Sequence, residues 1–204
     1  MQNERFRQYS KILYKIVSSI NQKIYILPCI QCNMKLIISD ASSLILLNKV
    51  KLVEKLAKLM SIKIPLEVKK EAVDIGKENN YQDAFEIERL INKNIVKVEE
   101  VKNNKKVDEL MKGYNMEKGE SEAVQLFREL NADLLATDDR NAINTCSLLN
   151  IPTSGSLAFV VNFYRKNLIS KEEGEEMINQ LSVFGRYSID IINKALNDLR
   201  EVKK

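Results

Sequence analysis

A short apolar run that ends in a carboxylate constrains the fold of this chain more than any other stretch. The run is Leu36-Ile37-Ile38-Ser39-Asp40, and small hydroxyl residues follow it. A continuous, Ile-rich run of this length is typical of a strand buried on both faces of a parallel sheet. Ligands of parallel sheets bind just outside the carboxyl ends of the strands. Asp40 is therefore predicted to face a site.

A second stretch repeats this pattern later in the chain. Residues 132–137 form another short apolar run, which ends in Asp138 and Asp139. Two parallel strands of one sheet would bring Asp40 and Asp138 to the same edge. The sequence therefore raises the question whether carboxylates converge there on a metal ion.

Strand-like and helix-like segments alternate through the chain. Further short apolar runs lie at 61–64, 95–98 and 151–153, and amphipathic helical patterns fill most of the segments between them. This alternation predicts an α/β fold, namely a three-layer α/β/α sandwich with a mainly parallel central sheet and a helical C-terminal extension. The apolar residues at 44–47 are predicted to face the core, with a homodimer interface or a partner groove as the alternative.

The chain contains no histidine, and this excludes several classes of chemistry. It has no His general base, no Ser-His-Asp or Cys-His nucleophile and no His-ligated zinc. Hydrolytic chemistry must then rest on carboxylates, Lys, Tyr or a hard metal ion held by oxygen. The three cysteines (Cys29, Cys32 and Cys146) form no disulfide framework, which predicts a reducing, cytoplasmic compartment.

Charge and pattern divide the chain into an N-terminal extension at 1–33, a domain at 34–168 and C-terminal helices at 169–204 that pack on or extend the domain. Residues 1–35 carry six basic residues against one acidic residue, a net charge of +5 in a chain whose total is +4. The extension is typical of a basic amphipathic helix that binds a partner, a membrane surface or nucleic acid. Alternatively, Met34 is the natural start. No apolar run is long enough to predict a membrane span, and no membrane partner is expected.

Carboxylates near the predicted strand ends and helix starts are the candidates for a metal site. They are Asp40, Glu71, Glu120, Glu122, Asp138 and Asp139. An Asp after a strand can simply cap the next helix, so we expect one of the paired aspartates to cap and favour Asp138 for the site. The two glutamates that open one helix lie two residues apart and point in different directions, so at most one is expected to contact a metal ion.

Clustered carboxylates without histidine suit a hard cation with oxygen ligands, Mg²⁺ or Mn²⁺. Without a cation, packed carboxylates repel one another and their pKa values rise. A divalent ion offsets this repulsion, lowers the pKa of a bound water and stabilises the attacking and leaving oxygens of a phosphodiester. Arg140 follows the second strand end, where its side chain could contact phosphate.

Four acidic motifs resemble those of PIN-domain ribonucleases, in the order found in that family. The segment around Asp40 resembles the first strand and turn, and Ile64-Pro65 followed by Glu71 is similar to the second strand and the helix glutamate. The third and fourth motifs, which resemble those of a PIN-like branch related to VapC-type toxins, are Gly119-Glu120-Ser121-Glu122-Ala123 and Leu134-Leu135-Ala136-Thr137-Asp138-Asp139-Arg140. The resemblance runs from about residue 34 to residue 199.

The resemblance implies a Mg²⁺- or Mn²⁺-dependent endoribonuclease that cleaves single-stranded RNA with metal-activated water. It also implies the toxin of a type II toxin–antitoxin pair, with a small antitoxin protein as partner. Ser42 matches the small hydroxyl that helps to order the metal site. By residue match, the catalytic metal ligands are Asp40, Glu71, Glu122 (or Glu120) and Asp138, with Asp139 beside the last.

Two other classes of protein remain as alternatives. A PIN-like module that has lost efficient catalysis would bind RNA or a protein partner, but the presence of every candidate carboxylate favours the enzyme. A receiver-type or phosphatase-like α/β domain would also carry an acidic Mg²⁺ pocket. The glutamates placed on helices and the lack of a phosphoacceptor context disfavour that class.

Overall fold

A computed structural model describes residues 34–201, and a five-stranded parallel sheet lies at the centre of this part of the chain. The predictions for the N-terminal extension lie outside the described residues. The strand order is β3-β2-β1-β4-β5, and every neighbouring pair is parallel. The strands are β1 (Leu36–Ser39), β2 (Ser61–Pro65), β3 (Val96–Glu99), β4 (Leu134–Ala136) and β5 (Thr153–Ser154).

Helices connect the strands and cover both faces of the sheet, which confirms the predicted α/β/α sandwich. A π-helical segment (Lys70–Ile75) interrupts the connection between β2 and β3. The α-helices are α1 (Ala41–Lys49), α2 (Leu52–Ala57), α3 (Leu66–Lys69), α4 (Gly76–Glu78), α5 (Gln82–Asn92), α6 (Asn104–Tyr114), α7 (Lys118–Leu130), α8 (Arg140–Leu148), α9 (Ser156–Arg165), α10 (Lys171–Phe184) and α11 (Ile189–Arg200).

Alternate residues of the central strands fill two separate cores. Ile37 and Leu134 point into the larger core, and their neighbours Ile38 and Leu135 point into the smaller one. Successive side chains of a strand face opposite sides of the sheet, so an uninterrupted apolar run is required at the centre of the sandwich. The smaller core is completed by α6, α7 and α8. The larger core is completed by the π-helical segment and by α1, α2, α3, α5, α9, α10 and α11.

The C-terminal helices belong to the larger core. Ile178 and Leu181 of α10 and Leu199 of α11 are fully buried and pack in the same cluster as Phe159 and Phe163 of α9. The helices at 171–200 therefore share one core with the helices and strands that precede them. The leucines of α1 are likewise buried in this core, as predicted.

Asparagine, rather than glycine, ends many of the helices. Six asparagines adopt the left-handed conformation just after or near helix ends: Asn80, Asn94, Asn115, Asn131, Asn150 and Asn167. Asn tolerates positive φ better than other non-glycine residues. Within residues 34–201 no glycine has positive φ, and no helix is long and apolar enough to cross a membrane.

Candidate acidic site

The site lies at the carboxyl ends of β1 and β4, which are neighbouring parallel strands. Asp40 follows β1 directly, and its backbone N–H donates to the carbonyl oxygen of Ala136, the last residue of β4, at 3.0 Å. Asp138 and Asp139 lie two and three residues after Ala136 along the chain. The register of the two strands thus brings the first and fourth acidic motifs together, as predicted.

Asp40 is buried and caps helix α1. Its Oδ1 accepts from the Ser43 N–H at 2.8 Å and from the Ser42 hydroxyl at 3.0 Å. Asp40 is thus the N-cap, with Ala41 as the first helical residue. The Ser42 hydroxyl donates to the same carboxylate, and its part in ordering a metal site stays a prediction from the resemblance. The pKa of Asp40 is raised to about 7, mainly by burial, and the charge of Asp138 adds to this shift.

The paired aspartates divide their roles between two helices. Asp139 caps α8, because its Oδ1 accepts from the Ala142 N–H at 2.8 Å. Asp138 instead accepts from the N–H of Ser156 at 2.9 Å and from its hydroxyl at 2.5 Å, at the start of α9. Burial raises the pKa of Asp138, although these hydrogen bonds oppose the shift. The expectation that one aspartate caps the following helix holds for Asp139.

Glu71 reaches the site from the π-helical segment. π-Helical turns are rare and frequently occur at functional sites. The Glu71 carboxylate accepts a hydrogen bond from the Gly119 backbone, in the first turn of α7. A Cβ on Gly119 would overlap the carboxylate oxygens of Glu71, so glycine is required for this close approach. Burial, followed by the charges of Glu67, Glu117 and Glu122, raises the pKa of Glu71.

The two glutamates of α7 point in different directions, as predicted. Glu120 closes a capping box with Glu117, whose N–H donates to Glu120 Oε2 at 3.2 Å. Burial and then the charge of Asp139 raise the pKa of Glu120 to about 7, and the charge of Asp40 contributes further. Glu120 therefore belongs with the strand-end aspartates.

Glu122 faces the other way, toward the start of α3. Its Oε2 accepts from the Glu67 N–H at 3.1 Å. The Lys118 ammonium lies 2.6 Å from a Glu67 carboxylate oxygen and 3.7 Å from Glu122 Oε1. A cation of the protein itself thus neutralises this part of the acidic surface.

The carboxylates form two groups. The strand-end group consists of Asp40, Glu120, Asp138 and Asp139, and the helix group of Glu67, Glu71, Glu117 and Glu122. The charges of Glu67, Glu117 and Glu122 raise the pKa of Glu71, and the charges of Asp139, Asp40 and Glu117 raise the pKa of Glu120, so Glu117 interacts with both groups. By residue match, Glu71 and Glu122 (or Glu120) were predicted to share a metal ion with Asp40 and Asp138, and that assignment stays a prediction. In the structure the charge of Glu122 acts on Glu71, and the charges of Asp139 and Asp40 act on Glu120.

Helix N-termini hold most of these carboxylates. Asp40, Asp139 and Asp138 lie at the starts of α1, α8 and α9, respectively. Glu120 lies in the first turn of α7, and Glu71 accepts a hydrogen bond from the backbone of that turn. The partial positive charge of a helix N-terminus favours an ionised carboxylate, typically by about 0.3–1 kcal/mol. Four helices therefore offset part of the repulsion that concentrating acidic residues at one sheet edge creates.

The chemistry of the strand-end group fits a hard divalent cation. Its donors are carboxylate oxygens, the ligands that Mg²⁺ and Mn²⁺ prefer. Burial raises the pKa values of Asp40, Glu120 and Asp138, and neighbouring carboxylates add to the shifts of Asp40 and Glu120. The buried Ser43 hydroxyl lies close enough to Asp138 to lower its pKa, yet makes no well-formed hydrogen bond. An oxygen in that environment is available to a cation or its water. In the side-chain conformations of this structure, no three acidic or cysteine side chains among residues 34–201 are arranged so that they could hold a metal ion together.

Arg140 and Cys146 lie at the margin of the site. Arg140 is exposed in the first turn of α8 and makes no ion pair within the described part of the chain. Cys146 is a buried free thiol in the smaller core, and burial raises its pKa, so it is not a reactive nucleophile.

Four side chains of the site were missed by the sequence predictions: Thr137, Ser156, Tyr187 and Lys118. Thr137 lies between the two strand ends, because its hydroxyl bonds to Asp40 and accepts from the Asp139 N–H at 3.2 Å. Its place just before the acidic pair was the signal that could have identified it. Tyr187 donates to Asp138 across 49 positions, and no local pattern indicates such a contact.

Fold and site together define an α/β/α protein with a carboxylate-lined site at the carboxyl edge of a parallel sheet. A family model described as a PIN domain matches residues 36–201, so the chain belongs to the PIN-domain family. PIN domains are generally nucleases and typically use divalent metals, which indicates a nuclease-type function. Comparisons with curated proteins and with solved structures gave no match.

Proposed function

We propose that this protein is a metal-dependent endoribonuclease that cleaves single-stranded RNA, and that it is the toxin of a type II toxin–antitoxin pair. The observation that carries the nuclease proposal is the placement of Asp40, Glu120 and the paired aspartates at one sheet edge of a PIN domain, where their charges act on one another. The toxin role follows from the resemblance of the third acidic motif to that of a PIN-like branch related to VapC-type toxins. A small antitoxin protein is the corresponding partner, and a homodimer is the alternative.

In this proposal Mg²⁺ or Mn²⁺ is held by Asp40 and Glu120, with Asp138 or Asp139 and Glu71 contributing directly or through water. When bound, the ion supplies an activated water and stabilises the charge that develops on the phosphodiester oxygens. The chain's own residues orient this site. Ser42 and Thr137 fix Asp40, and the helix N-termini favour the ionised form of the carboxylates. Arg140, exposed beside the site, would contact substrate phosphate.

The proposal is tested by cleavage of a pool of single-stranded RNA by the purified full chain, with Mg²⁺, with Mn²⁺ and with EDTA. We expect cleavage with either ion, none with EDTA and none with Asp40→Asn. Cleavage that survives both EDTA and the substitution would contradict the site. A folded wild type that binds Mn²⁺ and cleaves nothing would favour the alternative, a PIN module that binds RNA or a protein without efficient catalysis.

A paired substitution tests which glutamate of α7 serves the site. Glu120→Gln removes a charge that interacts with Asp40 and Asp139, whereas Glu122→Gln changes a side chain bonded to the Glu67 backbone and Lys118. We expect cleavage to fall by about 100-fold or more for Glu120→Gln, the size of loss typical of an essential charge-stabilising group, and only a few-fold for Glu122→Gln. The opposite ranking would assign Glu122 to the metal.

A further inference from the structure

The turn between α10 and α11 brings a tyrosine to the acidic site from the C-terminal part of the chain. The Tyr187 hydroxyl donates to Asp138 Oδ1 at 2.6 Å. Its ring is half-buried. The contact joins the C-terminal helix pair to the carboxylate that follows β4.

Donors occupy both oxygens of the Asp138 carboxylate. Oδ1 accepts from the Ser156 N–H and from Tyr187, and Oδ2 accepts from the Ser156 hydroxyl. Hydroxyl–carboxylate bonds of 2.5 and 2.6 Å have the length of charge-assisted hydrogen bonds, which are stronger than neutral ones. The carboxylate is thereby held in one orientation from two elements, α9 and the α10–α11 turn.

Two glycines make room for this arrangement. A Cβ on Gly185 would overlap the Tyr187 ring, and a Cβ on Gly155 would lie 2.9 Å from Asp138 Oδ1. Both backbones are in the extended region, with φ of −92° and −88°, so the space and not the backbone conformation requires glycine. Gly185 therefore leaves space for the Tyr187 ring, and Gly155 leaves space for Asp138 Oδ1.

We propose that Tyr187 is a positioning residue of the acidic site, which together with Ser156 orients the Asp138 carboxylate for a divalent cation held at the ends of β1 and β4. The inference rests on the metal-dependent function proposed above and deepens it, because it makes the C-terminal helix pair part of the site. Groups that orient metal-binding side chains typically change metal affinity or activity by about 10–100-fold when they are removed.

The test compares Tyr187→Phe, which deletes only the hydroxyl, with Tyr164→Phe, which deletes one from a half-buried tyrosine of α9. Mn²⁺ affinity of the full-length chain is measured by titration calorimetry, and folding is followed by thermal unfolding in EDTA. We expect the Mn²⁺ Kd to rise about 10-fold in Tyr187→Phe and to stay unchanged in Tyr164→Phe. RNA cleavage by Tyr187→Phe should recover at saturating Mn²⁺, because only the affinity for the ion is impaired.

Gly185→Ala provides a second, independent perturbation. It keeps the hydroxyl but displaces the ring, since the added methyl group meets the Tyr187 side chain. We expect it to weaken Mn²⁺ binding in the same direction. If Tyr187→Phe does not fold, this variant carries the comparison.

The outcomes separate this inference from the proposed function. Wild-type Mn²⁺ affinity in a folded Tyr187→Phe overturns the positioning role, and so does tighter binding, because the tyrosine would then compete with the cation for Asp138. Wild-type protein that binds Mn²⁺ but cleaves no RNA contradicts the nuclease proposal and leaves the Tyr187 effect on affinity to stand. Wild-type protein that binds no Mn²⁺ overturns both.

Discussion

Asp40 is at once a helix cap and the most deeply buried carboxylate of the strand-end group. The cap gives it one backbone donor, from Ser43, while burial and the charge of Asp138 raise its pKa from 3.8 to about 7. Between these two pH values the folded state holds a proton that the unfolded state has lost. The free energy of unfolding contributed by this group therefore falls as pH rises from about 4 to about 7 and stays low above that range.

Asp40→Asn should accordingly stabilise the metal-free protein at high pH. Asparagine keeps an oxygen that can accept from Ser43 but removes the charge, so we expect a gain on the order of 1–3 kcal/mol at pH 8 that disappears near pH 4. Thermal unfolding in EDTA at the two pH values measures this. Asp108→Asn, at an exposed position of α6, is the control and should change little. Destabilisation by Asp40→Asn at pH 8 would show that its hydrogen bonds outweigh the cost of its charge.

At the scale of single residues, the sequence predicted which carboxylates gather but not how they divide. Asp40 and Asp138 follow strands, so the topology alone brought them together. The choice between Glu120 and Glu122 depends on the first turn of α7, where the capping box turns Glu120 toward the strand ends. Glu117 and Glu120 have the three-residue spacing of a capping box, but a glutamate at the N-cap is outside its usual sequence signature. The contact of Tyr187 with Asp138 depends on how distant helices pack, which no local pattern encodes.

At the scale of elements, helix starts organise the site. The close approach of Glu71 to the N-terminus of α7 depends on Gly119, because any larger residue there would meet its carboxylate. The sequence patterns correctly predicted the helix that carries Glu71 but not its π-helical turns, since period-based reasoning assumes regular α-helix. Strand positions were predicted more fully, because apolar runs at the centre of the sheet have few alternatives.

Two glycine-to-alanine substitutions separate this requirement from ordinary helix propensity. Gly113→Ala lies on α6 with open space around the new methyl group, so it should stabilise the protein by up to about 1 kcal/mol. Gly119→Ala gains the same propensity but displaces Glu71, so we expect weaker Mn²⁺ binding and no net gain in stability. Chemical denaturation and Mn²⁺ titration of both variants provide the measurement. Equal behaviour of the two would mean that Glu71 moves aside freely.

At the scale of the whole molecule, the C-terminal helices form part of one core and one site. Leu199 of α11 is fully buried and lies against Gly174 of α10, while Tyr187 between them reaches Asp138. The sequence predicted these helices but left open whether they pack on the domain or extend it. Their amphipathic patterns identify an apolar face without identifying the surface that it meets.

Leu199→Ala should therefore destabilise the whole domain cooperatively. Removing a buried leucine side chain typically costs about 2–5 kcal/mol, and we expect a single unfolding transition shifted by that amount. Val183→Ala, at a side chain that is 77% exposed near the end of α10, should change stability by less than about 0.5 kcal/mol. Two separate transitions in Leu199→Ala would contradict the single core.

The central claim is that the strand-end carboxylates form a divalent-cation site, and a thermal-unfolding measurement with and without Mn²⁺ at pH 8 tests it most directly. A ligand at one hundred times its Kd stabilises the folded state by about 2.7 kcal/mol. We predict that Mn²⁺ raises the Tm of the wild type and of Asp108→Asn, and that the rise is lost in Asp40→Asn. An unchanged Tm in the wild type, or an equal rise in Asp40→Asn, would contradict the account.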